Sequence, residues 1–352
     1  MGSSRLVVTV PLRMDVTIGA MRAQVLERQR PVEERPLELR DISRPEPEEG
    51  EVLIEISACG VCHTDLHIVE GDLPLHKKPI VPGHEIVGRV EALGPRVEGI
   101  SVGDRVGVAW LHWACGECRF CRRRKENLCE NARFTGWDVD GGFAEYTVAQ
   151  ADFVYPIPDG FPDERAAPLL CAGIVGYRAL KRAIGGKEPG RLGLYGFGAS
   201  AHIAIQIARH LGWEVYVFTR SPQNKALARE LGAAWVGEAQ DRPPEPLDAA
   251  VIYAPAGWIV PEALKSLDKG GRLSLAGIHM TPIPELPYTL LYHEREVVSV
   301  ANATREDARE LLSYAAAIPI ETEVETFPLG AANDVLLRLK RREIRGAAVL
   351  TV

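Results

Sequence analysis

Cys115, Cys118, Cys121 and Cys129 form the run C-x2-C-x2-C-x7-C, four thiols inside fifteen residues. Four thiolates this close can wrap one tetrahedral Zn2+ and leave no position for water or substrate. An iron–sulfur cluster is the rival occupant. The bacterial ferredoxin run, however, has a shorter last gap followed by proline, whereas here the gap is seven residues and Glu130 follows. The spacing points to a closed, structural zinc that performs no reaction. Arg122, Arg123, Arg124 and Lys125, inside the same run, are placed to soften the negative charge of a zinc tetrathiolate.

Three thiols remain: Cys59, Cys62 and Cys171. Cys62 opens the stretch CHTDLH, and His84 and Glu85 follow Pro82 and Gly83. Two thiolates and one imidazole, with a fourth position left for water or substrate, make an open catalytic zinc site. Spacing alone does not join Cys62, His84 and Cys171, because more than a hundred residues separate the first from the last. Taken singly, each reads more readily as a buried cysteine or a satisfied histidine than as a ligand.

A second chemistry is written at Gly196-Phe-Gly198-Ala-Ser-Ala201, a G-x-G-x-x-A turn between an expected strand (191–196) and an expected helix (199–211). Two glycines permit a tight turn and close approach to a pyrophosphate, and the helix N-terminus adds the positive end of its dipole. An acidic residue about 20 positions on would bind the ribose 2′-hydroxyl of NAD. Here the second strand ends in Thr219, Arg220 and Ser221, with no carboxylate. Arg220 and the hydroxyls could hold a 2′-phosphate, which favours NADP(H) over NAD(H). The bland alternative is a surface charge beside the adenine.

The elements that must carry these groups change character along the chain. From Met21 to about residue 150 the text is strand-like, with segments at 51–57, 86–93 and 104–110 separated by Gly and Pro, and reads as an all-β unit. Beyond Cys171, strands at 191–196, 214–219, 247–253, 271–277 and 296–300 alternate with helices at 199–211, 222–231 and 261–267. Repeated βαβ units imply a doubly wound parallel sheet. A helix over 305–317 then leads to a tail expected to rejoin the β unit. The 352 residues suit two domains: 21–172 with 303–352, and 173–302. Residues 1–20 read as an extension, with Met21 a plausible start.

Composition narrows the partners. A net charge of -7 argues against nucleic acid, and no apolar run is long enough to span a bilayer. Seven unevenly spaced cysteines do not suit a secreted disulfide scaffold. A cytoplasmic location is expected.

Taken together, CGVCHTDLH, GHEIVGRV, GDRVGVAW, the four-cysteine run, GGFAEY and GFGASAH, in this order, resemble the zinc-dependent alcohol dehydrogenases of the medium-chain dehydrogenase/reductase superfamily, nearest the bacterial and yeast type. The resemblance spans Met21 to Val352 and implies a GroES-like β catalytic domain plus a Rossmann domain. It implies two Zn2+ per subunit: a catalytic one on Cys62, His84 and Cys171, and a structural one on Cys115, Cys118, Cys121 and Cys129. Glu85 matches a position that can approach the catalytic metal, and Asp65 one that orients His84. His63 and Arg345 match contacts to the cofactor pyrophosphate. Thr64 and His67 match a proton relay that carries the proton of the alcohol to solvent, while an alkoxide on the zinc gives hydride to NAD(P)+.

For the substrate, Trp110 matches a position that narrows the pocket of small-alcohol enzymes. Val69 stands where the yeast type has Trp, which should widen it towards longer primary alcohols or aromatic aldehydes. A cinnamyl-alcohol or polyol dehydrogenase on the same scaffold is the alternative. His76, His112 and His279 are expected to be bystanders, and a homodimer or homotetramer is usual for the family.

Overall fold

The computed structural model describes residues 19–352; residues 1–18, most of the expected extension, lie outside the described residues. Two sheets organise the rest. The first has seven strands. Val324–Pro328, Ala347–Thr351, Glu51–Val61, Glu85–Leu93, Arg105–Val108 and Val154–Pro156 neighbour one another in that order, and Tyr146–Gln150 pairs the outer half of Glu51–Val61. Its central strand buries all but a few side chains, as a strand covered on both faces must. The chain's last strand returns to it antiparallel, with Val349 opposite Gly60, as the sequence led one to expect.

The second sheet is wholly parallel. Its order is Trp235–Gly237, Glu214–Phe218, Arg191–Tyr195, Leu247–Ile252, Leu267–Leu275, Glu296–Ser299. This is the 3-2-1-4-5-6 order of a dinucleotide-binding sheet, in which ligands bind outside the carboxyl ends of the strands at the point where the order reverses. Arg191–Tyr195 lies at that reversal, and the glycine turn at Gly196 follows it directly. The helix expected at 305–317 is Arg305–Ala317.

Three elements depart from the expected pattern. The first unit is not all β: the CHTDLH motif lies on a helix, His63–Glu70, closed by Gly71 in the left-handed conformation. A helix Ala172–Ile184 starts immediately after Cys171 and packs on Ala199–His210. The three-residue strand Trp235–Gly237 extends the parallel sheet by one. The core around Leu170, Ile174 and Leu180 is continuous between the two sheets. Cys171 therefore sits at their junction.

Candidate active site and metal centres

Cys62 caps the helix His63–Glu70. Its sulfur accepts the Thr64 backbone N–H at 3.3 Å, while Asp65 reaches back to the Cys62 N–H at 2.9 Å. The other Asp65 oxygen accepts from the Gly83 N–H at 3.1 Å and faces His84 Nδ1 at 3.0 Å. One carboxylate thus fixes both chain segments that present ligands, and it is completely buried, as is His84. With Nδ1 so held, His84 turns Nε2 towards Cys62 Sγ, 3.3 Å away. Cys62, His84, Glu85 and Cys171 place their ligand atoms within 4.8 Å of one another. Glu85 enters only because Gly60 faces it across the sheet: a Cβ at Gly60 would lie 1.9 Å from the Glu85 carboxylate.

The electrostatics of this cluster are those of donors that suit a cation. A hydrogen bond from Cys171 and the opposite charge of His84 hold the Cys62 thiol well below its ordinary pKa, against burial. Cys171 is driven up by the same bond and by burial. Burial disfavours the His84 imidazolium, yet the Asp65 carboxylate and Cys62 outweigh it and push the pKa well up. Burial raises Asp65 and Glu85, the latter with help from Cys62. Two thiols, one imidazole and a spare carboxylate around one point, with a carboxylate behind the imidazole, are the donors an open zinc site needs.

The four-cysteine run closes on itself. Cys115 Sγ lies 3.9 Å from Cys121 Sγ and 3.5 Å from Cys129 Sγ, and Cys118 Sγ lies 3.5 Å from Cys121 Sγ. Backbone N–H groups of Cys115, Cys118 and Cys121 point at neighbouring sulfurs at 3.4–3.5 Å. Those bonds favour thiolates; the Cys118 thiol falls to about 6, lowered first by the Cys121 backbone, while burial carries Cys121 to about 12. The set also fits zinc, here with no fifth donor among the described residues. Arg122, Arg123, Arg124 and Lys125 are exposed beside it.

At the parallel sheet, Gly196 has φ +87, and a Cβ there would meet the Ala254 nitrogen at 2.9 Å. Only glycine fits that turn. Gly198 caps the following helix with nothing within 4 Å of where a Cβ would stand, and Ala201 is fully buried, which leaves the helix N-terminus clear for a phosphate. Thr219 is buried with its N–H on the Gly237 carbonyl at 2.8 Å. Arg220 is exposed and forms no ion pair among the described residues. His63 is exposed at the start of its helix. Arg345 pairs with Glu323 at 3.0 Å, and the Glu323 N–H reaches His202 on the helix Ala199–His210.

Comparison with known proteins agrees with this arrangement. The alcohol dehydrogenase GroES-like domain family matches residues 48–159, and the zinc-binding dehydrogenase family matches residues 201–317. A probable alcohol dehydrogenase AdhA of Mycobacterium tuberculosis is 48% identical over 344 residues, covering 96% of this chain and 99% of that one. The chain belongs to the zinc alcohol dehydrogenases of the medium-chain dehydrogenase/reductase superfamily. Its fold is a GroES-like unit joined to a Rossmann-like unit, and its activity is NAD(P)-dependent alcohol dehydrogenation. Among solved structures it is similar to acetophenone reductase from Geotrichum candidum in complex with NAD (28% identity, TM-score 0.84, 98% of each chain). It is also similar to a cinnamyl alcohol dehydrogenase from Sorghum bicolor (27% identity, TM-score 0.84, 94% of this chain and 97% of that one).

For an alcohol dehydrogenase the wall near Cys171 matters most. A cavity there is lined by Trp110, Tyr155, Ile174, Asn302, Ala303 and Thr304, among others. Trp110 meets the His84 ring edge-on at 4.8 Å and stacks with Phe134 and Trp137, at 5.1 and 5.9 Å. Phe134, Trp137 and Asn302 were not singled out from the sequence. The aromatic pair in Phe134-Thr-Gly-Trp137 was the available signal. Val69 carries no accessible surface and packs in the core with Leu66, three residues earlier on the same helix face, in the cluster that also holds Trp110. His76 pairs with Asp138 at 2.7 Å and stacks on Trp137, and His112 is buried, its pKa lowered by that burial to about 4. No helix among the described residues is long and apolar enough to cross a membrane.

Proposed function

We propose that this chain is a two-zinc alcohol dehydrogenase for primary alcohols and their aldehydes, aromatic ones included, with a preference for NADP(H). The observation that carries the reading is the convergence of Cys62, His84, Glu85 and Cys171 at the junction of the two sheets. Cys62, His84 and Cys171 would hold the catalytic zinc, and the four-cysteine set the structural one. When bound, the catalytic zinc lowers the pKa of a substrate hydroxyl and the nicotinamide accepts hydride.

The protein's own groups do the rest. Thr64 and His67 are three residues apart on one short helix and so share a face. The Thr64 hydroxyl accepts the hydrogen bond of the substrate alcohol. His67 discharges the proton; its Nδ1 is occupied by Asp72 at 2.7 Å, so Nε2 is the atom free to carry it. Asp65 holds the His84 tautomer, and Glu85 is the reserve carboxylate beside the ligands. Trp110, Phe134 and Trp137 exclude water from the reacting end and offer a flat apolar surface. That surface also supports a second reading, a cinnamyl-type substrate, and speaks against a polyol.

Arg220, unpaired at the end of the second strand with Thr219 and Ser221 beside it, supports recognition of a 2′-phosphate. His63 and Arg345 flank the pyrophosphate. The division into 21–172 with 303–352 and 173–302 follows the two sheets. Exposed Tyr288, Tyr292 and Val297, the last on the edge strand Glu296–Ser299, support self-association into a homodimer or homotetramer. The reaction is tested by following reduced-cofactor absorbance with a panel of aliphatic, aromatic and polyhydric alcohols, with NAD+ and NADP+ in parallel. Turnover of polyols alone would overturn the substrate class, and equal or better use of NAD+ would overturn the cofactor preference.

A further inference from the structure

His279 stands on the turn that follows Leu267–Leu275, at the carboxyl end of the parallel sheet, and is exposed. Its ring centroid lies 6.1 Å from that of His67, tilted by 49°. One imidazole stands on the helix His63–Glu70 beside the first sheet, the other on a turn of the second. The turn is shaped for this. A Cβ at Gly277 would lie 2.8 Å from the His279 carbonyl, and Thr281 Oγ1 anchors the turn on the Gly257 N–H at 2.9 Å.

His67 is half-buried, and Asp72 already holds its Nδ1. A proton arriving on Nε2 must leave from Nε2. A carboxylate is a poor receiver for an imidazolium's proton because its ordinary pKa is lower, whereas a second imidazole is matched. We propose that His279 is a second proton station, receiving the proton from His67 Nε2 directly or across one bridging water and passing it to solvent. The inference rests on the reading of His67 as the relay's end. In the step, the N–H bond at His67 Nε2 breaks and an N–H bond forms on His279. His67 returns to the neutral form with its Nδ1 proton still on the ring and donated to Asp72, and the His279 imidazolium then loses one proton to water or buffer. Nothing is oxidised or reduced, and one proton leaves per alcohol oxidised. Among the described residues, Asp72 and His63 are charged or titratable groups that act on His67 itself. His279 itself has no hydrogen bond or ion pair among the described residues. It is a positioning and transfer group acting through His67, with no role in zinc binding.

The test compares His279→Gln and His67→Gln in the full-length, zinc-loaded protein. With 13Cε1-labelled histidine and no cofactor, the His67 resonance, assigned by its loss in His67→Gln, moves in His279→Gln because a neighbouring ring is gone. In weakly buffered solution, kcat/KM for alcohol oxidation by His279→Gln falls about tenfold, less than the loss a general acid–base group inside a site commonly causes, because water competes. Imidazole restores it, and an equal concentration of tetramethylammonium chloride does not. An unmoved His67 resonance overturns the proposal, as does a wild-type rate or a loss that imidazole leaves unrepaired. If His67→Gln itself runs at the wild-type rate, the relay reading has failed and this one falls with it; if only His279→Gln does, the relay stands without a second station.

Discussion

Asn127, in the four-cysteine lobe, donates its side-chain N–H to the carbonyl of Ala301 at 2.7 Å. Ala301 leads straight into residues 302–304, which wall the cavity beside Cys171. The neighbouring Glu126 accepts the Arg305 N–H at 3.0 Å. The four-cysteine lobe therefore grips the wall of the cavity beside Cys171.

Asn127→Ala should weaken that grip without touching either ligand set. Loss of a largely buried hydrogen bond costs roughly 1–2 kcal/mol, to be read from urea unfolding. On the proposed reading that wall faces the substrate, so KM for alcohols should rise more than kcat falls. An unchanged KM with the stability loss present would show that the lobe supports the fold alone.

Replacing one ligand in each cluster should separate their duties. Cys121→Ala and Cys171→Ala are each expected to lose one of two zinc ions by elemental analysis. Structural zinc contributes directly to folding, so Cys121→Ala melts markedly lower. Cys171→Ala keeps a near-normal melting profile and loses activity. A Cys171→Ala protein that still oxidised alcohol at the ordinary rate would remove Cys171 from the catalytic set.

Much of this was readable in the sequence because the signals were local. The four-cysteine run is complete within one loop, and the Gly196 turn lies between an apolar strand and a periodic helix. Helix Arg305–Ala317 announces its start through Thr304 and Asp307, a reciprocal cap. The open cluster was not local. Cys62 and Cys171 meet only because the central strand of one sheet and the segment entering the other pack at the junction, and the family resemblance, not spacing, joined them. His63–Glu70 escaped notice because an eight-residue helix full of polar and β-branched residues shows little periodicity. Val69 and His279 show the same limit: which way a side chain faces on a short helix or a turn depends on what packs around it.

Asp65→Asn keeps the shape of the side chain but removes one acceptor. Its single oxygen can still serve the Gly83 N–H and His84 Nδ1, while the amide nitrogen cannot accept from the Cys62 N–H, now bonded at 2.9 Å. Carboxylates behind metal-bound histidines commonly account for 10- to 100-fold in metal affinity. Competition with a chelator should therefore strip about one zinc from Asp65→Asn at roughly 10- to 100-fold lower chelator than from the wild type, while the second zinc is retained as before.

Asp307 joins the capping of helix Arg305–Ala317 to a buried ion pair and gives stability a defined pH dependence. Its carboxylate is almost fully buried and bonded to Arg178, with Lys181 at 3.5 Å. It also accepts from the Thr304 N–H at 2.9 Å and the Thr304 hydroxyl at 2.7 Å. Burial opposes the charge, but the Thr304 bonds and Arg178 prevail and hold the pKa below its ordinary 3.8. A carboxylate depressed on folding stabilises fully above its unfolded pKa, and that stability is lost as pH falls through the folded value. Asp307→Asn leaves Arg178 buried without its counter-charge, at a cost of about 3 kcal/mol near neutral pH. Denaturant unfolding of both proteins should show that gap constant from pH 7 down to about 5, narrowing only below the ordinary carboxylate range. A gap that narrowed near pH 6 would mean that a histidine, and not Asp307, controls it.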